Sequence, residues 1–285
     1  MTRKGELRRG DLLFFFFLQL VASIVSFFYS ATQSIAMYDL DADKVVNNVA
    51  YDFVFLVPFL FFIRKRQALS YILLFVLVFF IIQGAKRGAI IVGATLVLLY
   101  LYHTVRKAEH QKGAYKNAIF VLIGIIVMAY VVYLLVSSND FLAARFESLM
   151  EGNSSGRDDL YTSIWNRWWS DTNDWTHFLF GYGFAGSQQL TDGLFAHNDW
   201  LEALSNFGLV GAVLYLSLIV TGFAYALKKG WASREDRMLL LCIMTAWFLT
   251  SLFSMWYTAL GVLTQTLLLG YLMGKNVNTH KFAHI

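Results

Sequence analysis

The sequence predicts an all-α integral membrane protein, a polytopic helix bundle of about eight spans with one large outward-facing helical loop. Three observations predict it. Apolar residues fill 58% of the 285 positions and charged residues only 15%, more apolar surface than a water-soluble core of this size has to bury. Apolar runs recur at about 12–29, 47–63, 68–85, 88–103, 118–137, 207–227, 238–256 and 258–274, most of them close to the ~20 residues that cross hydrocarbon. The basic residues alternate in density between successive connections, as they do in membrane proteins of fixed orientation.

The first run, Leu12 to Phe28, follows Arg3, Lys4, Arg8 and Arg9 much as a signal peptide's apolar core follows its basic start. It is long for such a core and no clear small-residue cleavage site follows, so it reads as a span. The second run holds the single proline, Pro58, tolerated in a span whose neighbours satisfy the freed carbonyl. The third and fourth runs meet at 85–88 and the seventh and eighth at 256–258; each pair reads as a tight hairpin or as one broken helix. Between the fifth and sixth lies the large loop, about 138–206. Within it Tyr161, Ile164, Trp165 and Trp168 form one stripe of a helix from Arg157 to Trp169, with Ser154 or Ser155 as a cap. A second short helix is expected from Asn198 to Phe207, with Trp200, Leu201 and Leu204 on one face. Five of the eight tryptophans (165, 168, 169, 175 and 200) lie in this loop; most are expected to form an aromatic belt on the outer leaflet, and one or two to stack on sugar rings. No internal repeat or low-complexity linker divides the chain, so 1–285 reads as a single membrane domain.

With the N-terminus inside, the inner connections hold 17 of the 23 basic residues and the outer side six: Lys44, Lys86, Arg87, Arg145, Arg157 and Arg167. This asymmetry places both termini in the cytoplasm, which requires an even number of spans. The isoelectric point near 9.0 is therefore a topology signal, and nucleic acid is not an expected partner. The lone Cys242 provides no disulfide or thiolate framework.

Four features carry chemistry. Gly181-Tyr182-Gly183-Phe184-Ala185-Gly186 matches the dinucleotide fingerprint by letter, but that motif works only between a strand and a helix, and here it lies in an outer loop; a glycine turn is the expected role. Lys86-Arg87-Gly88 puts two cations in an outward turn, where they serve lipid headgroups by snorkelling or hold an anionic group, a task that suits the arginine fork. Arg157 opens a helix where the dipole disfavours a cation; Asp158 and Asp159 beside it offer a local ion pair. His197-Asn198, with Asp199 and Glu202 close behind, precedes Gly208-x-x-Gly211 by nine residues. Ionisable groups at the mouth of a span are functional candidates, and the paired glycines allow close packing of that span on a neighbour, which fixes the histidine as a general base requires. No His-x-x-x-His or Glu-x-x-His pairing joins His177, Asp192 and Asp199 in a metal site, so no metal is expected.

In this order, over residues 86–211, these motifs resemble those of the O-antigen ligase and O-antigen polymerase superfamily. That family has an Arg-Gly step at a helix start, similar to Arg87-Gly88, though with serine rather than Lys86 before it. It also has a Gly-Arg step followed by tryptophan, similar to Gly156-Arg157 with Trp165 and preceded by Arg145. A glycine turn after an aromatic segment resembles Phe178-Leu179-Phe180-Gly181-Tyr182-Gly183, and a histidine with a small polar residue precedes a paired-glycine helix. The resemblance implies a glycosyltransferase of the bacterial inner membrane that transfers or polymerises glycan from an undecaprenyl-pyrophosphate-linked donor. The acceptor is another lipid-linked glycan or lipid A core, with membrane lipids around the site. It implies an inverting, metal-independent reaction without a cofactor, since the pyrophosphate is itself the leaving group. His197 would be catalytic, Arg87 and Arg157 with Lys86 and Arg145 would hold the pyrophosphate, and Asn198, Gly181, Gly183, Gly208 and Gly211 would shape the site. A non-enzymatic lipid or glycan transporter is the alternative; it predicts ionisable residues along the spans, of which Asp52 is the clear one.

The topology is tested with single cysteines in a Cys242→Ser background. In intact cells an impermeant thiol reagent labels Asn153→Cys or Asn173→Cys and leaves Ala232→Cys unlabelled; labelling at 232 reverses the orientation.

Overall fold

A computed structural model describes residues 7–39, 41, 44–63, 67–108, 114–152, 156–170, 174–228, 231, 233–257 and 262–282. Every regular element they form is helical. In order these are α1 (Arg9–Tyr38), α2 (Ala50–Leu56), a 3₁₀ segment (Val57–Phe62), α3 (Gln67–Gln83), α4 (Arg87–Ala108), α5 (Ala114–Ser137), α6 (Asp140–Met150), α7 (Arg157–Ser170), α8 (Trp175–Phe180), α9 (Gly186–Leu190), α10 (Asp199–Leu227), α11 (Arg234–Phe253) and α12 (Val262–Phe282). Among the described residues, four helices are long and apolar enough to cross a membrane: Arg9–Tyr38, Arg87–Arg106, Asp199–Leu227 and Arg234–Phe253. The single domain expected over 1–285 is organised as two compact units. One comprises Met1–Glu151, Lys229–Ala246 and Gly261–Ile285, the other Gly152–Lys228 and Trp247–Leu260.

The core of the first unit forms around the second apolar run. Pro58, which has no N–H to give to a helical ladder, sits at the start of the 3₁₀ segment. The run, expected as a span that tolerates the proline, is a short α-helix continued by a 3₁₀ turn. Phe53, Phe55, Phe59 and Leu56 are almost wholly enclosed, and Phe53 stacks on Phe80 at 4.6 Å. The junction at 85–88 is a tight turn between α3 and α4. Gly84 is required there, because a Cβ would lie 2.6 Å from the Ala50 Cβ. Its carbonyl accepts from the Asn47 N–H at 2.8 Å, and the Asn47 side chain reaches the Phe27 carbonyl at 2.8 Å. At the junction expected at 256–258, α11 ends at Phe253 and α12 starts at Val262; position 258 lies outside the described residues. The proposed caps Ser154 and Ser155 lie outside the described residues.

In the second unit, α7 forms where its stripe was expected, but the stripe divides. Ile164 and Trp168 are buried with Leu190, Ala196 and Leu204, while Trp165 turns outward and stacks on Trp169. The helix expected over 198–207 is the first part of α10, which runs on to Leu227 with one break at Gly208 (φ 63°, ψ −161°). Its apolar residues do not share one face. Leu201 and Leu204 join the α7 cluster, whereas Trp200 packs with Ala203, Tyr215 and Ile219.

Both sides of the break are glycine for a steric reason. A Cβ on Gly208 would lie 2.4–2.5 Å from the backbone of Leu179 and Phe180, and one on Gly181 would lie 2.5–2.6 Å from the backbone of Asn206, Phe207 and Gly208. The close partner of α10 at Gly208 is thus α8, a short helix of the loop, rather than another span. At Gly211 the near atom is the Phe207 Cβ of the same helix. Across the contact, the N–H groups of Tyr182 and Gly183 donate to the carbonyls of Ser205 and Asn206 at 2.8 and 3.1 Å.

Gly181→Ala and Gly208→Ala each set a methyl group against backbone at positive φ, and overpacking alone costs about 1–3 kcal/mol. Both variants should melt several degrees below the parent in detergent, whereas Gly124→Ala, with nothing within 4 Å of the new methyl, should melt at or above it.

Candidate functional site

The histidine motif is built from its backbone upward. His197 lies in the left-handed region at φ 51°, a conformation that costs a non-glycine residue roughly 1–2 kcal/mol and so has to be imposed by its surroundings. Asn198 follows in extended conformation and caps α10: its Oδ1 accepts from the Trp200 and Leu201 N–H groups at 2.9 and 3.2 Å. Its Nδ2 donates to the Leu252 carbonyl at 3.1 Å. The residue before the histidine is held as well, since the Ala196 N–H donates to Glu202 Oε1 at 2.6 Å. Both neighbours of His197 are thus held by hydrogen bonds, and the residue itself is exposed.

The two carboxylates of the motif point inward and act as braces. Glu202, 1% exposed, also accepts from the Ser187 hydroxyl of α9 at 2.8–2.9 Å. Asp199, wholly enclosed, accepts from the Trp256 N–H at 2.9 Å and from the Tyr215 hydroxyl at 2.6 Å. Tyr215 in turn accepts from the Trp247 indole at 2.8 Å. Asn206 completes the set: its Oδ1 accepts from the Gly186 N–H at 2.7 Å and its Nδ2 donates to the Tyr257 hydroxyl at 3.2 Å. Sequence reading placed Asp199 and Glu202 beside the histidine but missed Ser187, Asn206, Tyr215, Trp247 and Tyr257. The i, i+3 pair of acids in the first turn of α10 was the available signal; nothing in the chain marks a tyrosine inside an apolar run as its partner.

Next to this network an apolar groove of about 530 Å³ runs along α10, lined by Phe180, Phe207, Val210, Leu214, Trp247 and Tyr257 among others. Gly211 forms part of its floor. Gly183 (φ 83°) has open space around its α-carbon, so its role is conformational.

The cations fall into two groups. In the first unit, Lys86 and Arg87 occupy the turn into α4, and Arg87 Nη1 donates to the Ser148 hydroxyl of α6 at 2.8 Å. Arg145, sixty positions along the chain, comes to the same corner and donates from Nε to the Ala85 carbonyl at 3.3 Å. In the second unit, Arg157 Nη1 donates to the Phe253 carbonyl at the end of α11 at 2.8 Å, a favourable place for a cation because carbonyls converge there. That contact takes the place of the ion pair with Asp158 or Asp159 that the sequence offered.

His177 is accounted for structurally. It pairs with Asp174 at 3.1 Å and stacks on Tyr182 at 4.6 Å. The Thr176 N–H, donating to Asp174 as it caps α8, is the main influence holding the exposed Asp174 carboxyl below its usual range. The fingerprint-like glycines follow helix α8, and among the described residues no strand precedes them.

Truncating Glu202 strands two buried donors, and each unsatisfied group costs about 1–3 kcal/mol. Thermal unfolding should therefore rank the parent above Glu202→Gln and Glu202→Gln above Glu202→Ala. Asn198→Ala should lose about 1 kcal/mol as a helix cap.

Comparison with family models, with curated proteins and with solved structures finds no match to this chain.

Proposed function

We propose that the chain is a membrane glycosyltransferase of the O-antigen polymerase or ligase type, with His197 as its general base. The observation that carries the reading is the presentation of that one imidazole. A left-handed residue stands exposed between a capped helix start and a carboxylate-held N–H. A base that must meet an acceptor hydroxyl needs this combination of access and fixed geometry.

The donor is an undecaprenyl-pyrophosphate-linked glycan. Its isoprenoid chain suits an apolar groove such as the one along α10. Its pyrophosphate suits guanidinium groups, and Arg87 and Arg157 with Lys86 and Arg145 are the cations assigned to it. His197 takes the proton of the acceptor hydroxyl, the oxygen attacks the anomeric carbon with inversion, and undecaprenyl pyrophosphate leaves, its charge stabilised by the cations. All eight apolar runs cross the inner membrane in this proposal, with both termini cytoplasmic and the histidine on the outer face. The acceptor, lipid A core or another lipid-linked glycan, decides between ligase and polymerase. A deletion strain separates them: one retained repeat unit on the core marks a polymerase, and polymer left on the carrier lipid marks a ligase.

A general base contributes typically ~10²–10⁴-fold to rate, so purified His197→Ala should lose that much transfer while keeping donor binding. Its pH–rate profile should lose the acidic limb, because the limb reports protonation of the base. His177→Ala and Arg167→Ala should stay active. Arg87→Lys and Arg157→Lys keep charge without the fork and should bind donor more weakly. Near-parental transfer by His197→Gln would end the general-base assignment.

A further inference from the structure

The turn after α8 has a feature that shaping the site does not explain. Phe184 stands at its tip with 86% of its surface exposed, and Phe180 before the turn with 61%. A phenylalanine so exposed is unfavourable in water. Neither ring is isolated: Phe184 makes an edge-to-face pair with Phe207 at 5.9 Å, and Phe180 borders the groove along with Phe207, Val210 and Leu214. Those three belong to α10, one of the helices fit to cross a membrane, and each is itself 40–60% exposed. The tip and the outer face of the helix therefore form one continuous apolar surface.

The backbone of the turn supplies a second, independent observation. A non-helical segment enters hydrocarbon only if its peptide groups are satisfied within the protein. Here the Gly181 N–H donates to the His177 carbonyl, Tyr182 to Ser205, Gly183 to Asn206, and Gly186 to the carbonyl of Gly183. The Tyr182 carbonyl accepts from Gln189 Nε2 at 3.3 Å. Four N–H groups of the turn and the Tyr182 carbonyl are thus paired within the protein, while the rings of Phe180 and Phe184 face outward.

We propose that the tip Phe180–Phe184 is inserted among the lipid acyl chains of the outer leaflet, beside the start of α10, as a re-entrant anchor. The partner is the bilayer itself, and the anchor sets the depth of the histidine turn. The tip continues into α9, whose Ser187 donates to Glu202, and Glu202 holds the Ala196 N–H that fixes the backbone at His197. Lifting the tip out of the lipid would carry this brace with it.

The test is nitroxide accessibility. Phe184→Cys, Val213→Cys on the exposed face of α10, and Asn166→Cys on the polar side of α7 are each made in the full-length Cys242→Ser protein. They are spin-labelled and placed in nanodiscs of phosphatidylethanolamine and phosphatidylglycerol. Oxygen concentrates in hydrocarbon and a water-soluble nickel chelate is excluded from it. At 184 the ratio of oxygen to nickel collisions should be severalfold higher than at 166 and should match that at 213. A ratio at 184 equal to that at 166, with 213 lipid-like, overturns the anchor. Aqueous readings at both 184 and 213 overturn it together with the span. Transfer activity enters none of these readings, so failure of the anchor is distinguishable from failure of the glycosyltransferase assignment.

Discussion

At Gly208 helix α10 breaks, and the carbonyls of Ser205 and Asn206 accept from the N–H groups of Tyr182 and Gly183. The arrangement of the second unit depends on this exchange. Two backbones approach so closely at Gly181 and Gly208 that neither tolerates a Cβ. Buried peptide groups must find partners, so the break in one element and the turn of the other satisfy each other. Separating them would leave orphaned donors and acceptors on both.

From that contact outward, the placement of the histidine turn follows. Docking α8 and α9 on the first turns of α10 brings Ser187 to Glu202 and the Gly186 N–H to Asn206. Glu202 then anchors the chain entering His197, Asn198 anchors the chain leaving it, and Asp199 ties the same helix start to Trp256 and Tyr215. A low-dielectric interior strengthens such hydrogen bonds provided all partners are present. The three polar residues after the histidine thus hold its backbone rigid.

The same economy appears in the first unit, where backbone carbonyls and a serine orient the cations. Arg87 uses Ser148, and Arg145 uses the Ala85 carbonyl. An arginine whose fork is already placed loses less conformational freedom when it meets a phosphate. Neighbouring cations raise the local potential.

The helical character of the chain, the positions of its apolar runs and the prominence of His197-Asn198 were legible in the sequence. Hydrophobic periodicity and charge asymmetry are local properties, and each residue contributes to them wherever it ends up. Pro58 marked an irregularity, though not that a 3₁₀ turn would form there among the buried Phe53, Phe55 and Phe59. Gly208 read as a packing glycine, but its partner, Leu179 and Phe180 of a loop helix, was decided by the tertiary structure. So were the meeting of Arg145 with the Lys86–Arg87 turn, the capture of Arg157 by the Phe253 carbonyl, and the Tyr215 and Ser187 partners of the two acids. These contacts join residues from 15 to 96 positions apart. A hydrogen bond's donor and acceptor carry no sequence mark of each other; only the folded backbone brings them within reach.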